Sequence, residues 1–287
     1  MKKFKIIAIL VLAIIAIIML FSGCASSYET NTFEIDEDFK NITIDTETED
    51  IIFLPSQDEI CKVVFYEKTS KKHTSIVENE ALVIKYEDEE KWYKNLFNFG
   101  KSKITVYLPK NEYDNITIDV TTGDIQIKDE FKLESINIDV TTGDISLNKI
   151  VAGEINMSIT TGDVILDNIN CSGNITLDST TGDVMLNKIN CKGLKSTGTT
   201  GDIELDYVIA TEKIHIERST GDVEFDGMDA GEIFIDVSTG DVEGRLLSDK
   251  IFIVDTSTGK KRVPETTSGG ICKITTSTGD IIITIKQ

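Results

Sequence analysis

Apolar and polar residues alternate along most of this chain, and Thr-Gly-Asp or a close variant interrupts the alternation at a steady interval. The glycine of this tripeptide recurs every 19 or 20 residues. The nine glycines are Gly123, Gly143, Gly162, Gly182, Gly201, Gly221, Gly240, Gly259 and Gly279. Self-similarity at such a period is typical of solenoids, in which stacked repeats share one continuous core.

Each position of the repeat can be described by its distance from that glycine. Thr precedes the glycine in all nine copies, and Asp follows it in eight, with Lys260 as the exception. Apolar residues fill the columns five and seven before the glycine, and Ser196 is the break in the fifth. Apolar residues also alternate after the turn, which indicates two short strands that each bury one face. Further glycines mark a second turn about halfway between: Gly153, Gly173, Gly193, Gly231 and Gly270.

We therefore predict an all-β protein, a single parallel β-solenoid with rungs of about 20 residues and the right-handed coiling usual for parallel crossovers. The Thr-Gly-Asp array occupies residues 111–287. Residues 35–110 are predicted to hold a degenerate first rung, with Glu49 in place of the turn glycine, and a β insertion that caps the array. Because the chain ends on a strand at Gln287, we expect an uncapped edge there.

The first residues have the features of an export signal. Three lysines stand within the first five residues, an uncharged apolar run follows over 6–21, and small residues precede Cys24. This segment resembles the bacterial lipobox, in which the cysteine becomes the lipidated first residue of the mature protein. Phe21 stands where that motif usually has Leu.

These features predict a lipoprotein-type signal peptide over residues 1–23, lipidation of Cys24 and a linker over 24–34. The protein would then lie on the extracytoplasmic face of the cell membrane, held by its lipid. An uncleaved N-terminal anchor is the alternative, and it also places the remainder of the chain outside the cytoplasm.

The formal net charge is −20, and loss of the lysine-bearing signal makes the mature chain more acidic still. Such a surface repels phosphate backbones, which excludes nucleic acid as a partner. The expected contacts are the membrane through the lipid anchor and an envelope protein or glycan.

The Ser/Thr-Thr-Gly-Asp turns, together with the strand and proline over residues 104–109 before the array, resemble a bacterial domain family of unknown function called "putative adhesin". The resemblance covers about residues 35–287. It implies a β-solenoid displayed by exported or membrane-anchored proteins, and it implies no particular reaction.

A column of aspartates is the first candidate for chemistry. Stacked carboxylates repel one another, and calcium between the rungs would relieve that repulsion. The alternative is that Asp accepts hydrogen bonds from turn N–H groups, while the glycine supplies the required dihedral angles. No other cofactor is expected. The candidate calcium ligands are Asp124, Asp144, Asp163, Asp183, Asp202, Asp222 and Asp241.

Cysteines and aromatic residues supply two further candidates. Cys171 and Cys191 share a column one rung apart, close enough either for a disulfide or for two buried thiols. The aromatic-dense stretch that contains Trp92, Tyr93 and Phe97 either contacts a partner or packs over the first rung.

No nucleophile and base are visible together, and His215 is a lone, outward-facing residue, so we predict that the protein is not an enzyme. The favoured function is a membrane-anchored, non-catalytic, adhesin-like scaffold. A carbohydrate-active β-helix enzyme and an accessory protein of envelope-stress signalling are the alternatives. A local site is expected where the repeat breaks, at residues 55–110, Ser196–Gly198 and Lys260–Pro264.

Overall fold

The computed structural model describes residues 27–86 and 102–286, and all of its regular structure is β. None of the described residues forms a helix able to cross a membrane. The predicted fold class is confirmed, since the strands form a parallel β-solenoid of about nine turns. The N-terminal strands are β1 (Tyr28–Ile35), β2 (Asn41–Thr46), β3 (Glu49–Pro55), β4 (Cys61–Lys68), β5 (His73–Glu78), β6 (Ala81–Tyr86) and β7 (Ser102–Leu108).

The array contains the remaining strands, several of which run through a corner without interruption. They are β8 (Glu112–Thr122), β9 (Ile125–Ile127), β10 (Phe131–Thr142), β11 (Ile145–Thr161), β12 (Val164–Cys171), β13 (Asn174–Thr181), β14 (Val184–Thr200), β15 (Ile203–Thr220), β16 (Val223–Thr239), β17 (Val242–Leu246), β18 (Lys250–Thr258), β19 (Lys261–Arg262), β20 (Gly270–Thr278) and β21 (Ile281–Ile285).

Equivalent residues of successive rungs stack in register. Ile136 of β10, for example, lies between Ile116 of β8 and Ile155 of β11, and all three are fully buried. Their side chains share one face of each strand because successive residues of a strand point to opposite sides. The apolar columns thus form a continuous core along the solenoid axis.

The structure adds a corner that the glycine pattern did not predict. Six residues after the turn glycine, the backbone takes positive φ values, for example +59° at Lys149 and +54° at Asn168. Burial of alternate side chains skips a position there, from Leu147 to Ile150. One residue in this left-handed conformation therefore lets the chain change direction while both flanking segments keep their apolar side inward.

The N-terminal end of the solenoid is closed by antiparallel strands, as predicted. Strands β6 and β7 form a parallel layer on β2 and β3, and beyond them β5 pairs with β6, β4 with β7 and β1 with β4, all antiparallel. We call β1, β4 and β5 the cap. The predicted linker over 24–34 is wrong for residues 28–34, because these belong to β1, whose alternating side chains pair along the whole of β4.

The opposite end departs from sequential order. Strand β20 lies between β16 and β18, and β21 lies between β17 and β19. The last repeat of the sequence is thus inserted beneath the one before it. The expectation of an open edge at the C-terminal strand is therefore wrong for Ile281 and Ile282, which pair with β19. The outermost layer is residues 250–262, here called the tip rung.

Candidate functional site

The column of aspartates forms a hydrogen-bonded ladder along the turns. The backbone N–H that follows each turn glycine donates to Oδ1 of the aspartate one rung closer to the cap, at 2.7 to 3.1 Å. Asp50 starts the ladder, Asp280 accepts from the N–H of Lys260, and Lys260 ends it. The remaining steps run through the seven candidate residues Asp124, Asp144, Asp163, Asp183, Asp202, Asp222 and Asp241.

This ladder explains why Lys260 alone lacks the carboxylate. It belongs to the tip rung, and in the described part of the chain no further turn N–H follows it along the ladder. Each aspartate therefore links two neighbouring rungs by accepting a hydrogen bond from a turn N–H, which is the role that the alternative to calcium binding gives it. Within residues 27–86 and 102–286, no three His, Cys, Asp or Glu side chains are grouped as a metal site requires.

We expect the midpoint of thermal unfolding to be the same in calcium and in EDTA, because a backbone N–H already satisfies one oxygen of each aspartate. Melting followed by circular dichroism checks this. A rise of more than about 2 °C in calcium would show a cation bound to the folded state.

The cap contains a buried polar cluster that the sequence did not reveal. Glu49, Glu67, His73 and Tyr86, here called the cap cluster, come from β3, β4, β5 and β6. The two carboxylates and the imidazole are each about 1 % exposed. Burial this complete requires partners for the charges, and carboxylate, imidazole and hydroxyl groups meet here, although within the described residues Nε2 of His73 accepts or donates no hydrogen bond.

Histidine lies at the centre of the cluster, between the two carboxylates. Nδ1 of His73 lies 2.7 Å from Oε2 of Glu67, which also accepts the His73 backbone N–H at 2.8 Å. On the other side, His73 Nε2 lies 3.6 Å from Oε1 of Glu49. The imidazole is stacked on Phe65, with ring centroids 5.2 Å apart, and lies 4.3 Å from the ring of Tyr86.

Glu49 is able to enter this cluster because of its place in the repeat. It occupies the column of the turn glycines, where a Cβ on any of the other nine would lie 1.9 to 2.1 Å from a carbonyl oxygen of the preceding layer. The strands of the neighbouring layer, β6 and β7, are joined by residues 87–101, whose sequence contains no Thr-Gly-Asp. At this level the Glu49 side chain reaches the hydroxyl of Tyr86 in β6.

The hydrogen bonds around Glu49 determine its ionisation. Burial raises the pKa of Glu49, but the nearby His73 imidazole, with hydrogen bonds from Tyr86 and Thr48, outweighs burial and holds the pKa below its usual value. The Tyr86 hydroxyl donates to Glu49 Oε1 at 2.5 Å, and burial together with the Glu49 charge raises the pKa of Tyr86. Glu49 is thus an ionised acceptor that ties β6 to the first turn.

The predicted pair of cysteines stacks in one column but forms no bond. Both thiols are free and buried. Sγ of Cys171 lies 3.4 Å from the carbonyl oxygen of Gly153, whereas Sγ of Cys191 lies 3.9 Å from that of Ile209. Each thiol therefore faces carbonyl oxygens, and this arrangement fits the buried-thiol alternative. Burial raises the pKa of Cys191 to about 12, which makes it a poor nucleophile.

A buried arginine, Arg218, fills the space that the small residues Ser196 and Gly198 leave at the break in the repeat. Arg218 is only 3 % exposed and stands three before its turn glycine, where Val120 and Val140 of earlier rungs face the core. Its guanidinium extends one rung back, where Nη2 donates to Ser196 Oγ at 3.2 Å. A Cβ on Gly198 would lie 2.1 Å from Arg218 Nη1, so the missing side chain makes room for the arginine. Burial lowers the pKa of Arg218 to about 10, and the group remains charged at neutral pH.

Gly198 and Arg218 are expected to show strong coupling in a double-mutant cycle. Gly198→Val alone should lower the free energy of unfolding by about 2–4 kcal/mol, because the new side chain overlaps the guanidinium. Combined with Arg218→Val, the same change should recover part of that loss, because the overlap with the guanidinium is gone while the Cβ still lies 2.6 Å from the carbonyl oxygen of Ser179. Urea unfolding of the four proteins measures the coupling; additive effects would contradict the shared space.

Other predicted residues lie apart from these clusters or outside the described chain. His215 faces outward as predicted, and its Nε2 lies 2.6 Å from Oε1 of Glu217. Cys24, with the signal segment, and the aromatic stretch of Trp92, Tyr93 and Phe97 lie outside the described residues.

The profile of the family described as Toastrack DUF4097 matches residues 39–284. The chain belongs to this family. No curated protein matches the sequence. The matched region of this Toastrack chain covers the first turn, strands β4 and β5 of the cap and all of the array up to residue 284.

Solved structures share the fold at low sequence identity. A "putative adhesin" from Bacteroides fragilis is 17 % identical with a TM-score of 0.52, and the match covers 91 % of this chain and 98 % of that one. A "putative lipid binding protein" from Parabacteroides distasonis is 16 % identical with a TM-score of 0.53, covering 92 % and 98 %. These likenesses establish that the Toastrack fold recurs among such proteins.

Proposed function

We propose that this protein is a membrane-anchored, non-catalytic, adhesin-like scaffold on the extracytoplasmic face of the cell membrane. The observation that carries the proposal is the polarity of the solenoid. Strand β1 is the outermost strand of the cap and begins at Tyr28, four residues after Cys24. A lipid on Cys24 holds the cap next to the bilayer, and the tip rung is at the far end of the array.

The chemistry of the array supports display and contact as its task. Its recurring polar residues are engaged in stacking: the aspartates accept turn N–H groups, and asparagines such as Asn137 and Asn156 bond to each other between rungs. The buried charges of the cap cluster and Arg218 are enclosed by protein, where a substrate has no access. At about 4.8 Å per layer, nine turns hold the tip about 40 Å from the cap.

The anchor is tested with Cys24→Ala in the full-length chain. We expect the unaltered protein to enter the detergent phase of a Triton X-114 separation after surface labelling of whole cells, and the variant to lose its lipid by mass spectrometry. A protein that keeps its signal segment and carries no lipid would favour the uncleaved anchor.

The interaction role is tested with residues 25–287, which include the whole described fold. Binding to a glycan array or to immobilised envelope proteins supports the scaffold. Release of shortened glycans from the array would instead favour the carbohydrate-active enzyme, and no binding to either surface would contradict an adhesin-like role.

A further inference from the structure

The tip rung closes the core of the solenoid only in part, although Val263 packs against the core and the Thr266 hydroxyl donates to the carbonyl of Lys250 at the start of β18. Phe252 and Val254 of β18 stand over Cys272 and Ile274, which are fully buried, yet both are themselves only partly buried. Strand β18 pairs on one side with β20, and the described residues provide no strand for its other side. An unpaired edge beside exposed apolar side chains is the arrangement that recruits another strand.

Apolar residues also spread onto the outer face beside this edge. Ile251, Ile253 and Ile271 are 42 %, 51 % and 38 % exposed. In the column of Ile253, rungs nearer the cap carry mainly polar residues such as Thr117 and Asn137, with Phe234 as an exception. Three exposed isoleucines come together at the tip, where they add to the area that a partner would cover.

Charge distinguishes the tip from the remainder of this acidic protein. Residues 250–262 contain four basic residues and one acid, in a chain of net charge −20. The three lysines are paired within the chain: Lys250 with Asp229 at 2.6 Å, Lys261 with Asp255 at 3.2 Å and Lys260 with Asp280 at 3.8 Å. Because three of the four cations have carboxylate partners, the tip attracts an acidic ligand less than its charge count indicates, while a second acidic chain can approach it without acid facing acid.

We propose that the tip rung is a homodimerisation surface, where β18 of two copies pair antiparallel about a two-fold axis at Val254. In this register Val254 lies opposite itself and Phe252 lies opposite Thr256. Antiparallel pairing of edges is self-complementary, so the contact closes at two copies. The second copy would cover the tip as the antiparallel strands β4 and β5 cover the cap end.

On the outer face, the same register brings the two Ile253 side chains near each other. Ile253 of one copy lies opposite Asp255 of the other and diagonal to the second Ile253, within reach of a large side chain. The inference depends on the geometry and charge of the tip alone. Failure of Cys24 lipidation or of glycan binding would leave it untouched.

Sedimentation velocity of residues 25–287 over a range of concentrations tests the proposal. We expect a monomer–dimer equilibrium without larger species. Raising salt from about 0.1 M to about 1 M, which shortens the Debye length from about 10 to about 3 Å, should strengthen the dimer, because the two acidic bodies repel each other. Monomer at every concentration would overturn the proposal. Open-ended growth that salt weakens would also overturn it, because that result would indicate that the basic tip of one copy binds the acidic cap of the next.

Substitutions locate the contact. Ile253→Lys and Val254→Lys are each expected to weaken association at least tenfold, about 1.4 kcal/mol. Ile165→Lys is the matched control, because Ile165 is 37 % exposed on the side of the array and lies away from the tip. The outward Ile253→Lys change leaves the core intact, and an unchanged melting curve excludes misfolding as the cause. Equal dimerisation by all three variants would place any contact elsewhere.

Cysteine crosslinking tests the register. Val254→Cys should form an intermolecular disulfide on mild oxidation, because residues facing across the axis have Cβ atoms about 4.5–5.5 Å apart, and a small adjustment reaches the roughly 3.5–4.5 Å of a disulfide. The native Cys61, Cys171, Cys191 and Cys272 are buried and remain in the background sample. Ile165→Cys should stay monomeric under the same conditions. A Val254→Cys chain that dimerises in solution without crosslinking would overturn the antiparallel register.

Discussion

Gly182→Ala is expected to lower the free energy of unfolding by about 4 kcal/mol or more, a size reserved for severe backbone conflicts. The added Cβ would lie 1.9 Å from the carbonyl oxygen of Gly162, which belongs to the backbone of the adjacent rung and has no rotamer to change. Gly182 also has φ of +138°, a conformation that L-residues rarely adopt. Because each rung is held by its neighbours, a defect in the middle of the array weakens both halves.

Thermal and urea unfolding measure this effect, and we expect a midpoint about 10 °C lower. Gly193→Ala is the matched control in an adjacent part of the array. There the nearest atom to the new Cβ is the side-chain Oδ1 of Asn174 at 2.9 Å, which can rotate away, and the nearest backbone atom is 3.6 Å distant. Similar losses in the two variants would mean that the turn column has no special requirement for glycine.

The turn columns were predictable because they follow from strand geometry alone. Side chains alternate with a period of two, so the apolar columns identify the core face without any knowledge of the remainder of the fold. The Thr-Gly-Asp spacing gives the register between rungs in the same way. Stacking of Ile116, Ile136 and Ile155 in one buried column is the direct result.

The cap cluster could not be predicted in this way. Glu49 was recognisable as a departure from the glycine column, but its partners Glu67 and His73 lie on antiparallel strands outside the repeat. No periodicity in the sequence indicates which strands of residues 55–110 pair, so the meeting of these three side chains depends on tertiary structure. The burial of His73 could not be predicted either, because this residue lies outside the repeat and no column of equivalent residues indicates which way its side chain faces.

The order of the last rungs and the buried arginine did leave signals in the sequence. Lys260 replaces the Asp in one of the nine turns, the turn of the rung that is last in space. An Asp there would have no further turn N–H from which to accept a hydrogen bond. Gly198 stands in the column of Arg218 one rung earlier, so a residue without a side chain lies next to a residue with a long one. In both cases one residue differs from the other residues of its column. Such a difference can be interpreted only together with the residue that stacks on it in the next rung.

Glu49→Gly is expected to destabilise the protein by about 3–5 kcal/mol, although it restores the consensus residue of the repeat. The change removes the carboxylate that accepts from the Tyr86 hydroxyl and the Thr48 backbone N–H, and it leaves His73 buried beside a void. Unpaired buried polar groups lose their hydration without compensation. If repeat consensus alone governed stability, the same substitution would stabilise the chain.

The pH dependence of stability separates the charge of Glu49 from its shape. Because its pKa is lower in the folded state than its ordinary value of 4.5, Glu49 contributes stability that is fully present above that value. This contribution is lost as the pH falls from there through the folded-state pKa. Glu49→Gln keeps the shape without the charge, so it should be less stable than the unaltered protein at pH 7 and approach it in strongly acidic solution. Glu212→Gln, on the exposed surface, should leave the whole profile unchanged. A constant difference between Glu49→Gln and the unaltered protein down to low pH would show that Glu49 acts through packing, with its charge irrelevant to the cap.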